Sequence, residues 1–200
     1  QWLLCKQRMM QMIDENTPTL KTERLILRKF IDKDVEALFE VLSDTEVNTY
    51  LPWFPLKSLE EARVFLNERF LEYYDKPSIY RYAVCLKEDN IPLGYVWLSD
   101  TESNDFGYAL KKEFWHKGII TEATKVVVER IKNAGYAYIT ATHDTNNPHS
   151  GAVMKKLGMA YKYSYVEQWQ PKNITVTFRM YQLNFDRNIN RTYMEYWDKY

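Results

Sequence analysis

Residues 22–30, TERLILRKF, place Leu25 and Leu27 on one side of an extended chain and Arg24, Ile26 and Arg28 on the other. That alternation predicts a strand. The period then changes: Val35, Leu38, Phe39 and Leu42 recur at helical spacing, with Asp32 standing where an N-cap belongs. Prolines punctuate LPWFP (51–55), which reads as a loop. Ser58 and Glu61 have the spacing of a capping box and open a second helix that turns Ala62, Phe65 and Leu66 inward.

RYAVCLK (81–87) and PLGYVWLS (92–99) read as strands, and Asp89-Asn90 between them predicts a hairpin. TESND (101–105) is a turn into a third strand, FGYALKK (106–112). A helix follows over 118–134, with Lys132 in its last turn and Gly135 as the residue that stops it. YAYITATH (136–143) is a strand, and Asn147-Pro148 opens a short helix that ends at Leu157 with Gly158 beyond it. AYKYSYVEQW (160–169) and ITVTFRMYQL (174–183) both alternate, and a Pro-Lys-Asn turn at 171–173 joins them as a hairpin. DRNINRTYMEYWDKY (186–200) is a polar, aromatic tail with a helical tendency.

The order is β–α–α–β–β–β–α–β–α–β–β. It predicts an α+β fold in which helices cover a twisted, mixed, mostly antiparallel sheet. No repeat or linker divides the chain, so the expected organisation is an N-terminal tail (1–20), one domain (21–185) and a C-terminal tail (186–200).

Bulk properties narrow the function classes. At 200 residues, 46% apolar and 27% charged, the chain has ordinary globular usage and length enough for a sizeable core. Its net charge is zero, which argues against a nucleic-acid partner and against an electrostatic membrane anchor. No run reaches the roughly 18 apolar residues of a spanning helix. The opening QWLLCKQRMM is too short in apolar residues for a signal peptide, and Met9 or Met10 is the expected native start. Two cysteines, Cys5 and Cys85, cannot make a disulfide scaffold, and Cys85 within YAVCL is expected to be a small buried hydrophobe. These features predict a reduced, cytoplasmic protein without membrane contact; a homodimer is left open.

The usual nucleotide and hydrolase signatures are missing: no GxxxxGK[ST], no GxGxxG and no GxSxG. His116, His143 and His149 follow no zinc spacing, so no metal is expected. Two segments remain. In FGYALKKEFWHKGIITEA, one of only six glycines stands between a basic dipeptide and a helix start. Gly118 there either eases the chain into the helix or lets an anion approach the first-turn amides. In TNNPHSGAVMKKLGM (145–159), Asn147 as N-cap, Pro148 at N1, Lys155 and Lys156 in the last turn and Gly158 beyond it make a well-capped helix. Capping leaves Ser150, one turn in, unexplained.

Together the two segments resemble the GNAT acetyltransferase superfamily, in its branch of ribosomal-protein alanine N-acetyltransferases. The strand motif stands here as Gly107-Tyr108-Ala109-Leu110. The loop motif is Trp115-His116-Lys117-Gly118-Ile119-Ile120-Thr121-Glu122-Ala123, and the second segment is Asn147-Pro148-His149-Ser150 through Val153, Lys156, Leu157 and Gly158. The resemblance covers roughly residues 22–184. It implies an acetyl-CoA-dependent N-acetyltransferase with no metal.

In the family the loop from Trp115 through His116, Lys117, Gly118, Ile119 and Ile120 to Thr121 holds the pyrophosphate. The strand end near Ala109 and Leu110 offers backbone groups to the pantetheine arm, and Asn147 holds that arm. The resemblance makes Ser150 the hydroxyl near the leaving sulfur. It suggests a glutamate on the following strand as base, and Glu167 is the sole carboxylate in 159–183. Glu167 reads equally as a solvated hairpin residue, and Tyr108, Tyr163 and Tyr165 are further candidates for the cleft. The implied acceptor is an amine: a protein N-terminal α-amine, or alternatively a small molecule such as a polyamine or antibiotic. A CoA-binding module without catalysis is the reading from a different class.

Overall fold

The computed structural model describes residues 15–199. Cys5, Met9 and Met10 lie outside them. Five strands form an antiparallel sheet in chain order: β1 (Leu20–Lys21), β2 (Leu25–Arg28), β3 (Arg81–Leu86), β4 (Pro92–Leu98) and β5 (Phe106–Leu110). Three more form a second antiparallel sheet in the order β6 (Tyr138–Asp144), β8 (Ile174–Asn184), β7 (Ala160–Trp169). The mixed character lies at their junction, where β5 and β6 run parallel and meet at an isolated bridge, Asp105 to Thr140. Beyond that bridge the β5 edge is no longer paired with β6 as a ladder.

Alternation in the first sheet divides its side chains between two cores. Leu25, Leu27, Tyr82, Val84, Val96, Phe106 and Leu110 pack against the long helix α3 (Ile119–Asn133), through Ile119, Ala123, Val127 and Ile131. Ala83, Cys85, Tyr95 and Ala109 face the other way, onto α1 (Val35–Leu42) and α2 (Leu59–Arg69). Burial pushes the Cys85 thiol up to about 12, so it is a packed hydrophobe and no nucleophile. The short helix α4 (Pro148–Lys156) follows β6, and Met154 on it joins the first core.

Two cap expectations need correction. Asp32 is not the N-cap of α1: residues Asp32–Asp34 form a 3-10 turn, and the helix starts at Val35. The acid that matters is Asp34, which accepts the Ile31 N–H at 2.9 Å and two bonds from the Arg28 guanidinium at 2.8 and 3.0 Å. A buried carboxylate with a bidentate arginine outranks an exposed cap. At α2, Ser58 caps the Glu61 N–H as expected, but the Glu61 carboxylate accepts from Lys57 N–H at 2.7 Å, one residue before the reciprocal partner of a capping box.

The C-terminal residues do not hang free. The chain from 186 folds back onto β8, and the short helix α5 (Glu195–Lys199) lies against β7. There they close a third, small core of Tyr163, Tyr165, Val176, Phe178 and Met180.

Candidate active site

The site grows from the C-terminal end of β5. The Ser99 N–H donates to the Asp105 carbonyl and the Lys111 N–H to the Leu93 carbonyl, each at 2.8 Å, across β4 and β5. Antiparallel pairing alternates, so Gly107 and Ala109 also turn their N–H and C=O groups toward β4, and Tyr108 and Leu110 turn theirs to the open edge. Ala109 therefore offers no backbone group to the cleft. The Leu110 carbonyl accepts the Trp115 indole N–H at 2.8 Å, so Trp115 braces the strand end while the Leu110 N–H stays on the open edge.

The chain then turns sharply into α3. His116 has φ +60° and Gly118 φ +74°, two left-handed residues around Lys117. Glycine takes that conformation without penalty, whereas a β-carbon costs roughly 1–2 kcal/mol. Gly118 occupies the N-cap position, and no side chain caps the helix. The contrast with α2, capped by Ser58, and α4, capped by Asn147, is direct. The first intrahelical bond is from Glu122 N–H to the Gly118 carbonyl, so the amides before it point out of the helix end. Lys117 and Gly118 are exposed, Ile119 is buried in the core, and Ile120 and Thr121 are half-buried. An uncapped, exposed helix start with a lysine beside it fits an anion of pyrophosphate type.

A clamp missed in the sequence sets this loop. Glu122 accepts from Thr22 Oγ1 (2.5 Å), Arg24 N–H (3.0 Å) and Arg24 Nε (2.7 Å), and Arg24 Nη1 reaches the Lys117 carbonyl at 3.0 Å. Burial alone would raise the Glu122 carboxyl, but these bonds outweigh it and hold it below its ordinary value. The glutamate of the loop motif thus ties the start of the domain to the first turn of α3. It is not a base.

The start of α4 comes to the same place. Asn147 Oδ1 accepts the Ser150 N–H at 3.3 Å. The Tyr108 phenol lies 3.0 Å from both the Ser150 carbonyl and its Oγ. The His116 and His149 rings meet edge to face with centroids 4.7 Å apart. The two helix starts, at Gly118 and Asn147, therefore bracket the end of β5. His143 stands apart from the histidine pair, buried, with Nδ1 on the Asp144 carbonyl at 2.7 Å. Among the described residues no three His, Cys, Asp or Glu side chains converge as metal ligands.

The opposite face of the same edge carries carboxylates. Asp105, paired with Thr140, shares the face of Gly107 and Ala109 and not that of Tyr108. Its Oδ1 is buried with no hydrogen-bond partner among the described residues. Burial, with the charge of Glu167 added, pushes the Asp105 carboxyl up to about 7. Glu167 pairs with Val176 and so shares a face with Tyr165, which pairs with Phe178. Burial raises the Tyr108 and Tyr165 phenols well above their ordinary values, so both stay neutral near pH 7. Tyr50 Oη donates to the Asn146 carbonyl at 2.9 Å, and Lys172 donates to the Asn48 carbonyl. These bonds join the turn at Val47–Tyr50 to the second sheet and bound the carboxylate side.

Sequence reasoning pointed to Ser150, Asn147 and the 115–121 loop, and the fold brings these together. It did not single out Asp105, which sat in a segment read as a turn. The one signal available was parity: Asp105 precedes Gly107 and Ala109 by even steps and must share their face.

Comparison with known proteins agrees with this architecture. Residues 24–160 match the Acetyltransferase (GNAT) domain family. An uncharacterized N-acetyltransferase of Bacillus subtilis, YoaA, is 28% identical over 163 residues, covering 79% of this chain and 91% of that protein. The GNAT-family acetyltransferase structure from Bacillus anthracis superposes with TM-score 0.72 at 26% identity, covering 84% of this chain and 99% of that one. RimL, described as a ribosomal L7/L12 alpha-N-protein acetyltransferase in complex with coenzyme A, superposes with TM-score 0.71 at 19% identity, covering 84% of this chain and 98% of that one, and speaks for the fold alone. On the match of its domain and the agreement of its fold, the chain belongs to the GNAT family and is an N-acetyltransferase.

Proposed function

We propose that the protein transfers the acetyl group of acetyl-CoA to a protein N-terminal α-amine, with Asp105 as the base. The observation that carries this reading is the division of chemistry across the β5 edge. Asp105 and Glu167 lie on one face; Ser150 and Tyr108 lie on the other. An amine arriving on the first face meets a proton acceptor, and a leaving group on the second meets a hydroxyl donor.

The uncapped start of α3, with Lys117 and Gly118, suits the pyrophosphate of acetyl-CoA, and the Leu110 N–H and the Asn147 side chain suit its pantetheine arm. Bound there, acetyl-CoA supplies an acyl group activated as a thioester. Asp105 takes the proton from the amine. The amine nitrogen bonds to the acyl carbon as the carbon–sulfur bond breaks. Ser150 Oγ, held by the Tyr108 phenol, donates its proton to the departing sulfur; solvent restores that proton through the phenol, and Asp105 releases the amine proton to solvent as the products leave. Glu167 is not the base in this reading. Its negative charge adds to burial in holding the Asp105 carboxyl up.

The substrate class follows from proton matching. A base near 7 lies within about a unit of an α-amine, with its ordinary value of 7.7–8.0, and more than about three units below a lysine or polyamine amine. The motif resemblance to the ribosomal-protein branch supports the same acceptor. The test is acetyl transfer to an alanine-initiated peptide with one internal lysine, in competition with spermidine, read by mass spectrometry. Acetylation should fall on the α-amine. Acetate found on lysine or spermidine instead would refute the acceptor class, and acetyl-CoA binding without transfer to any of them would leave a binding module.

A second expected outcome concerns the sulfur side. Ser150→Ala should lower kcat by about ten- to a thousandfold with little change in the KM for acetyl-CoA, because a donor to the leaving sulfur acts in the transition state. Steady-state kinetics with chemistry limiting checks it, and an unchanged kcat would reduce Ser150 to a helix-end residue.

A further inference from the structure

The domain match ends at residue 160, well before the C-terminal segment. That segment nevertheless lies on the acceptor face. Its first part is anchored by polar bonds: Gln182 Nε2 donates to the Arg191 carbonyl at 3.0 Å, Tyr193 N–H donates to Gln182 Oε1 at 2.8 Å, and Tyr163 Oη donates to the Tyr193 carbonyl at 2.6 Å. Arg191 also pairs with Asp186 at 2.7 Å. From there the contacts become aromatic. Tyr196 stacks on Tyr165 with centroids 5.2 Å apart and planes 10° apart, and Trp197 meets Tyr163 edge to face at 5.7 Å.

The Tyr196 phenol also reaches Thr140, one half of the β5–β6 bridge, and Ser103, two residues before the other half, and it feels the charge of Asp105. The third core, which lies wholly beyond residue 160, is therefore closed between the β7–β8 sheet beneath and the C-terminal segment above.

We propose that residues 193–199 form the outer wall of the acceptor site, with Tyr196 as the positioning residue that closes Asp105 off from water. The proposal rests on the assignment of Asp105 as base. Its logic is one of desolvation. A carboxylate at a strand edge between two splayed sheets would ordinarily be wet and acidic. Tyr196 replaces water on that side, so the carboxyl keeps a proton affinity matched to an α-amine. The groups facing Asp105 are Glu167 and Tyr165 from β7 and Tyr196 from the C-terminal segment, while the Tyr108 phenol, on the other face of β5, feels its charge. Of these, Tyr196 alone belongs to a segment that could be removed without cutting a strand.

Two variants test this. Tyr196→Ala removes the ring, and Tyr196→Phe keeps the stack while deleting the hydroxyl. Carbon-13 carboxyl NMR of the ligand-free protein should show the Asp105 midpoint falling by about a unit or more in the alanine variant and returning most of the way in the phenylalanine variant. With the alanine-initiated peptide as probe, the alanine variant should lose about tenfold in kcat/KM, its acidic limb should move to lower pH, and the acetyl-CoA Kd should hold. An unmoved Asp105 midpoint would overturn the wall. So would a gain in kcat/KM, which would make the segment a plug. Failure of the wild type to acetylate the peptide would refute the acceptor reading, and the NMR comparison would still decide whether Tyr196 shields Asp105.

Discussion

Asp105→Asn is expected to cut kcat/KM for acetyl transfer by about 10²–10⁴-fold while leaving acetyl-CoA affinity intact and making the folded protein more stable above neutral pH. The activity loss follows from removing the proton acceptor without changing its shape. In the wild type, kcat/KM should rise with pH through about 7 as Asp105 ionises, and the variant should lose that limb. The stability change has the opposite sign for a definite reason. The folded-state value lies above the ordinary 3.8, so the unfolded chain releases its proton first. The penalty is absent below about pH 4, grows as pH rises, and is complete above about 7. Asparagine carries no such penalty, so the variant should gain on the order of 1–4 kcal/mol at pH 8. Denaturant unfolding at pH 5 and pH 8 measures it. Lower activity together with lower stability at both pH values would mean that Asp105 is a structural residue and the base lies elsewhere.

The second large effect is on the cofactor side. Acetyl-CoA at 100 times its Kd should stabilise the wild type by about 2.7 kcal/mol, and Gly118→Asp should remove most of that gain. Aspartate tolerates a left-handed backbone better than most residues, at roughly 1 kcal/mol. A β-carbon at Gly118 would meet only Arg24 Nη2, at 3.5 Å, an ordinary contact. The fold should therefore survive, and the loss of ligand stabilisation isolates the new negative charge at the helix start. Gly118→Asn is the control: it has the same shape without the charge and should keep a larger part of the shift. Thermal midpoints with and without acetyl-CoA read the difference. If the wild-type midpoint does not respond to millimolar acetyl-CoA, the cofactor assignment is wrong.

Much of the fold was readable because it depends on local periods. The alternation of Leu25 and Leu27, the Asp89-Asn90 turn, the Pro-Lys-Asn hairpin and the Asn147 cap all act within a few residues, and each appears in the structure where the pattern put it. The two left-handed residues at 116 and 118 show why the short-range reading stopped short of the site. Sequence marked Gly118 as an opening onto a helix, but an empty helix end becomes an anion site only when something holds the loop, and that holder is Thr22 and Arg24, up to 100 residues away.

Asp32 and Ala109 failed for the same reason in two forms. A nearby arginine made Asp34 the better acid, and the register of β4 turned the Ala109 backbone inward. Glu167 was visible as the lone acid of its hairpin. Asp105 was not, since nothing in TESND distinguishes a turn carboxylate from one that will lose its water.

The amino-acid sequence by itself determined the elements, their order, the glycine before α3 and the serine after the Asn147 cap, because propensity, periodicity and capping are short-range. The tertiary structure alone decided which groups face each other across the β5 edge. Desolvation of Asp105, the Tyr108–Ser150 bond and the approach of Tyr196 each need the two sheets to part at Thr140, and long-range packing sets that geometry.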